Sequence, residues 1–356
     1  MSRLEIVSIA ESKKWDSIAV SFCQHDVYHL RSYVKAFQLH DDGEPILLYY
    51  KNGEVRAMNV VMKRDIARCT PFTGLLEPGK FHDTITPYGY GGFIFEGPLT
   101  VAIKHDFTNQ YLQFCQTNKI ITDFTRFHPI INNAEQMRDI VQVTDLGHTI
   151  YMDLASEETI WNNITSKNRN MIRKAQKAGI EIRHGQGKKL LQEFRTIYNA
   201  TMDRDKANPY YYFGGAFYDS ICEDLWNHYE LFYAVLDGKT VAMSIILHCN
   251  GQMHYHLSGS DAEYRHLAPS NLLLYEAARW GCEQGYRTFH LGGGLGSDET
   301  GGLYKFKQAF NRNSNITFSI GKIVFDPAAY GQLVALRQQQ DAGFMPDSSF
   351  FPVYRS

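Results

Sequence analysis

A chain of 356 residues with 44% hydrophobic and 21% charged residues has an ordinary globular composition and the length of two domains rather than one. A formal net charge of -2 excludes broad coating of nucleic acid or anionic membrane, while leaving room for a local basic patch. The six cysteines, Cys23, Cys69, Cys115, Cys222, Cys249 and Cys282, form no C-x-x-C pair, which argues against a zinc ribbon or thioredoxin-type motif and for reduced thiols.

The N-terminus, Met1-Ser-Arg-Leu-Glu-Ile-Val-Ser8, has no apolar h-region and no cleavage site. No apolar run approaches the roughly 20 residues of a membrane span. The expected location is cytoplasmic, without integral membrane association. Residues 11–22 and 27–40 have helical patterns. Residues 45–62 read as a hairpin, with Asn52-Gly53 supplying the positive φ angles of a type I′ turn. Residues 70–98, rich in Gly, Pro and Thr, read as a long functional loop region, followed by helix 100–118 and strand 120–127.

The second half repeats the scheme. Strand 148–154 precedes a helix that starts at 157 after Ser156. Residues 188–203 are helical, and 231–247 form a second hairpin around Asp237-Gly238. Strand 253–258, helix 269–284 ending at Gly285, and strand 286–291 follow. The recurrence of this element order implies an internal structural duplication. The expected domains are 1–148 and 149–321. The tail 322–356 is expected to pack back on the first domain through a helix that opens at Asp326-Pro327.

Two segments carry most of the chemistry. From Ser166, a candidate N-cap, to Gly179, a candidate C′ residue, runs a short basic helix with Met171, Ala175 and Ala178 at core spacing. Arg169, Arg173 and Lys177 lie at i, i+4 and i+8, so they share a face and repel by roughly a few tenths of a kcal/mol per pair. A bound phosphate or carboxylate would offset that repulsion; a solvated charged face is the competing reading. The second segment is His290-Leu-Gly292-Gly293-Gly294-Leu-Gly296-Ser297, which leads into Leu303-Tyr304-Lys305-Phe306-Lys307. It lacks the G-K-[ST] of a Walker loop, but its glycines let backbone approach a ligand closely.

Other patterns are weaker. The loop Thr86-Pro87-Tyr88-Gly89-Tyr90-Gly91-Gly92 offers rings and backbone to a base or sugar, or is simply a packed Ω-loop. His254 and His256 have no carboxylate or third ligand nearby in sequence, so no metal site is expected. There is no G-x-S-x-G elbow. Direct attack by an amine on an activated carbonyl needs positioning, proton removal and oxyanion stabilisation rather than an enzyme nucleophile. Asp261, Glu263 and Asp298 are the candidate proton acceptors.

The ordered set resembles the Fem-type (FemABX) peptidyltransferases and their relatives in the GNAT acyltransferase superfamily. The residues that carry it are Ser166-x-x-Arg169-x-x-x-Arg173-Lys174-Ala-x-Lys177-x-Gly179, Tyr198-x-x-Thr201-x-x-Arg204 with Tyr211-Tyr212-Phe213, the glycines at 292–296, Leu303-Tyr304-x-Phe306-Lys307, and Pro87-Tyr88-Gly89-Tyr90-Gly91-Gly92. The resemblance implies an α/β (α+β) chain of two GNAT-like domains, each a mixed central sheet flanked by helices, with most of the active cleft on the second. It implies N-acyl transfer to an amine, with acyl-CoA or aminoacyl-tRNA as co-substrate and no tightly bound cofactor. The acceptor would be a small-molecule, UDP-linked or lipid-linked amine, such as a peptidoglycan precursor peptide; a CoA-dependent acetyltransferase and a non-catalytic binding module of the same fold are the rivals.

The resemblance also places roles. Lys307, rather than Lys305, would hold a phosphate or stabilise the oxyanion; of the three acidic candidates named above, Asp298 is the expected proton acceptor. Tyr88, Tyr90, Gly91, Arg204, Tyr212, Gly292, Gly293, Gly294 and Tyr304 would bind substrate. Arg169, Arg173, Lys177 and Arg265 would meet the donor's anionic groups. Arg265-His-Leu-Ala268-Pro269 lies where GNAT enzymes hold pyrophosphate, though alanine replaces glycine and Pro269 lacks an N–H. The helical arm of some staphylococcal-type members is missing, since only a short stretch separates Gly179 from Lys188.

Overall fold

The computed structural model describes residues 3–346 and 349–356. The chain opens with strand β1 (Arg3–Ser8), helices α1 (Ser12–Ser21) and α2 (Arg31–Gln38), and the hairpin of β2 (Glu44–Asn52) and β3 (Val55–Asp65). Asn52 pairs with Val55, so the central turn residues are Gly53 and Glu54, one position later than expected. Positive φ falls on Gly53 alone of the two, the pattern of a type II′ rather than a type I′ turn. Strands β4 (His82–Ile85) and β5 (Ile94–Glu96) form inside the segment read as loop. Helix α3 (Val101–Thr117) starts where the Thr100 hydroxyl accepts the Ile103 N–H at 3.3 Å, and β6 (Ile120–Arg126) and α4 (Ala134–Met137) follow it.

Strand β7 (Gln142–Asp153) leads to α5 (Glu157–Asn163), capped by Ser156, and then to α6 (Ser166–Lys177). The cap of α6 is Thr165, whose hydroxyl accepts the Asn168 N–H, so Ser166 is the first helical residue and not the cap. Next come β8 (Glu181–Gly185), α7 (Lys188–Arg204), α8 (Gly215–Asp224), β9 (Tyr229–Leu236) and β10 (Lys239–Cys249). Asp237 and Gly238 both have positive φ and make the type I′ turn that the sequence specifies. Strand β11 (Gln252–Ser260), α9 (Pro269–Glu283), β12 (Thr288–Gly292), α10 (Gly302–Gln308), β13 (Ile316–Val324) and α11 (Pro327–Gln340) complete the order. Among the described residues no helix is long and apolar enough to cross a membrane.

The chain divides into two compact units, one of Met1–Gln24, Tyr28–Leu146 and Phe318–Ser356, the other of His25–Val27 and Gly147–Thr317. In the first, β1, β2, β3 and β4 pair antiparallel in turn, β4 pairs parallel with β6, and β6 pairs antiparallel with β13. In the second, β8, β9, β10 and β11 pair antiparallel in turn, β11 pairs parallel with β12, and β12 pairs antiparallel with β7. Along these six strands the two pairing patterns match; the first unit adds β5, which pairs antiparallel with β3. Each unit is a mixed sheet flanked by helices, in line with the fold class that the resemblance implies.

Alternation and helical stripes bury a core in each unit. In the first, Phe93 meets Phe107 and Tyr111 edge to face, Phe95 meets Phe107 edge to face, and Phe107 stacks on Tyr111. In the second, α9 contributes Leu272, Leu273, Leu274, Ala277 and Ala278 beside Met253 and Phe289. Full burial of each large apolar side chain contributes roughly 1.5–3 kcal/mol.

The first unit also buries two carboxylates of opposite character. Asp83 accepts from Arg64 Nε at 2.7 Å, from Tyr354 Oη at 3.1 Å and from Arg355. Among the described residues, Asp123 accepts from hydroxyls, Thr84 at 2.6 Å and Thr125 at 2.7 Å. Burial pushes the Asp123 carboxyl up to about 6, against the pull of those hydroxyls. A raised carboxyl lets the native state bind the extra proton between about 4 and 6, so this site destabilises the fold progressively as pH rises through about 6. Asp123→Asn is therefore expected to raise the melting temperature at pH 8 and to change it little at pH 4. Equal shifts at both pH values would show that the carboxylate carries no such penalty.

Candidate active site

The pairing of β11 with β12 is short. It spans Gln252–His254 against Thr288–His290 and ends there, while β11 runs on to Ser260. Two sets of predicted residues stand at the two strand ends that follow. At the end of β11, Arg204 Nη1 donates to the Ser260 carbonyl at 3.0 Å, and Ser260 N–H donates to Thr201 Oγ1 at 3.0 Å. Tyr212 joins the same corner by donating to Asp203 Oδ1 at 2.8 Å. Arg265 lies on the exposed turn Ala262–Leu267 just beyond. Ala268 has φ 59° and ψ 45°, a left-handed conformation at the position where the resemblance expects glycine.

At the end of β12 the glycines fold tightly. Gly292 has φ 78°. A side chain on Gly294 would collide with the Asp298 carbonyl and approach Tyr304 Cβ to 3.3 Å, so the loop closes on itself only with glycine there. Tyr304 is buried on α10, one turn before Lys307. Lys307 is only 9% exposed, and its Nζ donates to the Gly293 carbonyl at 2.8 Å. Lys305 is exposed, which resolves the two lysines as helical geometry requires. Burial pulls the Lys307 ammonium down to about 8.

Asp298 sits in this loop but is held differently. The Thr300 hydroxyl donates to its Oδ1 at 2.7 Å and the Thr300 N–H at 2.8 Å, and these bonds keep its carboxyl below the ordinary range. That makes it a weak base.

Sequence reasoning missed the residues that β7 supplies. His148 Nδ1 lies 2.8 Å from Glu299 Oε1, and the His148 N–H donates to the same oxygen at 2.7 Å. A side chain on Gly293 would meet the His148 carbonyl at 3.1 Å, so His148 backs directly onto the glycine that holds Lys307. Sequence also missed Asp26, whose Oδ2 is 2.8 Å from His254 Nε2 although 228 residues separate them. Only the fold reveals either pairing.

The basic helix α6 packs on α9, and its start is tied to the end of α10 by the Thr165 N–H and hydroxyl, both donated to the Ala309 carbonyl. Its buried residues are Asn168, Ile172 and Ala175; Ala175 is buried as expected, while Met171 and Ala178 are only half-buried and Ile172 takes the place expected of Met171. The guanidinium groups of Arg169 and Arg173 lie over the Trp161 ring, 5.9 and 5.1 Å from its centre, and Arg169 also donates to the Trp161 carbonyl. Lys177 is exposed in the last turn, where a cation complements the helix dipole.

Tyr88, Tyr90 and Gly91 belong to the first unit. Arg126 organises their loop, donating to the carbonyls of Gly89, Thr86 and Pro87, each at 3.1 Å. The Tyr88 ring stacks on Phe37, and Tyr90 meets Tyr28, His128 and Phe318. Gly91 is buried and its N–H donates to the Arg126 carbonyl at 2.8 Å. The loop is a packed aromatic structure held from within.

Residues 165–308, which begin at the cap of α6 and end one residue past Lys307, match the model of the acetyltransferase (GNAT) domain. The matched residues lie within the second unit. Among solved structures, several match nearly the whole chain. The structure of FemX matches with a TM-score of 0.65 at 13% identity, over 93% of this chain and 99% of its own. The C-terminal domain of a putative lysylphosphatidylglycerol synthetase from Agrobacterium fabrum gives 0.53 at 14% identity, over 94% and 96%. A tandem GNAT protein from the clavulanic acid biosynthesis pathway gives 0.50 at 8% identity, over 92% and 100%. At these identities the likeness is one of fold, the fold of GNAT-type acyltransferases. No curated protein matches the sequence.

Proposed function

We infer that the chain is an N-acyltransferase that moves an acyl group from an activated carbonyl donor to the amine of a phosphate-bearing acceptor. The observation that carries this reading is Lys307. Its ammonium is buried with a backbone carbonyl as acceptor, and among the described residues no carboxylate pairs with it. A buried cation without a counter-charge is costly, and a transient oxyanion would supply one. The acceptor amine attacks the donor carbonyl, negative charge gathers on the carbonyl oxygen, and Lys307 stabilises it; such a donor contributes roughly 100- to 1000-fold in rate.

The GNAT match favours acyl-CoA as donor. The stretch of β11 from Tyr255 to Ser260, beyond the ladder with β12, offers an edge along which an extended, amide-bearing donor arm can lie. Arg265, Arg173 and Arg169 are the cations proposed for its phosphates. The likenesses to FemX and to a lysylphosphatidylglycerol synthetase support an acceptor that carries phosphate, with a UDP-linked peptidoglycan precursor peptide the first to try.

Titration calorimetry with acetyl-CoA, aminoacyl-tRNA and UDP-linked muropeptide tests this reading. Acetyl-CoA and the muropeptide are expected to bind, with a shallow salt dependence for the donor. Tight tRNA binding with a steep salt slope would replace the CoA donor with the aminoacyl one. Arg169→Gln/Arg173→Gln is expected to weaken donor binding by about 10-fold at low salt, the loss of two modest charge contacts. Unchanged affinity would show that the α6 arginines serve only Trp161 and solvent.

A further inference from the structure

The geometry points to His148 as the general base of the transfer, with Glu299 as its positioning residue; this rests on the acyl-transfer reading above. The dyad is built by the fold. β7 pairs with β12 up to Ile150 against Gly292, so His148 stands just past the last rung, beside the opening glycine loop. The same loop returns Glu299, 151 residues away in sequence, onto both the backbone N–H and the ring Nδ1 of His148. Gly147 makes room for this: a Cβ there would lie 2.8 Å from Glu299 Oε1. Gly293 then has the His148 carbonyl against its Cα and the Lys307 ammonium on its own carbonyl. The Lys307 ammonium and the His148 backbone thus flank one glycine.

The carboxylate settles the tautomer. A carboxylate oxygen at 2.8 Å accepts, so in the neutral imidazole the proton belongs on Nδ1 and the lone pair on Nε2. Both side chains are over a third exposed, so the ring is within reach of an incoming amine. Asp298 is bound by Thr300 and is the poorer base.

The step balances as follows. The amine nitrogen attacks the carbonyl carbon of an acyl thioester, the C–N bond forms, and the carbonyl π pair moves to oxygen facing Lys307. Nε2 of His148 takes the N–H proton. The tetrahedral intermediate collapses, the C–S bond breaks, and the leaving thiolate takes the proton back from the imidazolium. The products are an amide and a thiol, with His148 restored.

Two measurements test this. In protein labelled with 15N-histidine, the His148 ring, assigned by its loss in His148→Gln, should show the Nδ1–H tautomer. Glu299→Gln and Gly147→Ala should each reduce its population. With acetyl-CoA and UDP-linked muropeptide, His148→Gln should lower kcat about 100-fold with little change in acceptor KM. The ratio of wild-type to variant rate should narrow between pH 6.5 and 8, because more of the amine arrives deprotonated. A ring in the Nε2–H tautomer, or an unchanged kcat in His148→Gln, would overturn the assignment. Wild-type protein that forms no amide overturns the acyl-transfer reading instead, and the tautomer measurement still decides the dyad.

Discussion

Lys307→Met is expected to lower turnover by about 100-fold and at the same time to make the fold steadier at pH 7. The two effects come from one property. Burial depresses the lysine to about 8 from its ordinary 10.5, so between those values the unfolded chain binds a proton that the native protein does not. Stability therefore rises with pH through that window, and below about 8 the native state carries the full cost of a charged, buried ammonium. Methionine has a similar reach and no charge. The gain at pH 7 should be on the order of 1 kcal/mol, because the Gly293 carbonyl loses its donor as the charge is removed. It should vanish by about pH 10.5. Activity has the opposite dependence: wild-type turnover should fall as pH rises through about 8, since only the protonated lysine stabilises an oxyanion. Thermal melts at pH 7 and 10.5 and a pH–rate profile check the three parts together. A variant that is destabilised at pH 7 yet fully active would show Lys307 to be a packing residue.

The largest stability effect is expected at Asp83. Its carboxylate is fully buried between Arg64 and Arg355, and Tyr354 adds a hydroxyl donor. Burial alone would raise its carboxyl; the two arginines outweigh burial and hold it below the ordinary 3.8. Asp83→Ala leaves two guanidinium groups without their partner, a loss of about 3–5 kcal/mol. That is a large fraction of a typical domain's stability, roughly 5–15 kcal/mol. A carboxyl lowered in the native state contributes stability that is present above 3.8 and is lost as pH falls through the lower, native value. Urea unfolding at pH 7 should show the deficit, and the difference between wild type and variant should shrink in acid. A loss below about 1 kcal/mol at pH 7 would mean that the arginines find other partners.

Local signals were legible, and long-range ones were not. Asp237-Gly238 requires positive φ at two successive residues, and the chain turns there. Asn52-Gly53 carries the same signal, yet the register of β2 against β3 moved the turn by one residue, because the cross-strand pairs Tyr50–Ala57 and Leu48–Asn59 fix which side chains face the core. β8, Glu-Ile-Arg-His-Gly, has one apolar side chain and forms because β9 pairs with it, so its own pattern was silent. In α6 the shift of the cap from Ser166 to Thr165 and of the core from Met171 to Ile172 are small errors of phase.

At the site, periodicity and the family pattern singled out Lys307, Tyr304 and the glycines because they are contiguous. His148 and Glu299 carry no motif, and only the return of the glycine loop onto β7 joins them. Asp26 and His254 are a still longer closure. The aromatic loop at Tyr88 and Tyr90 was legible as a loop, but its internal hub, Arg126, lies 36 or more residues downstream and was not singled out.

The most direct test of the central claim is a product assay. Wild type and Lys307→Met are incubated with acetyl-CoA, and separately with aminoacyl-tRNA, in the presence of UDP-linked muropeptide and other phosphate-bearing amines, and new amide bonds are followed by mass spectrometry. A new amide from wild type, formed about 100-fold more slowly by Lys307→Met, is the predicted result. No amide from either donor, or equal rates for the two proteins, would contradict a transferase in which the buried lysine stabilises the transition state.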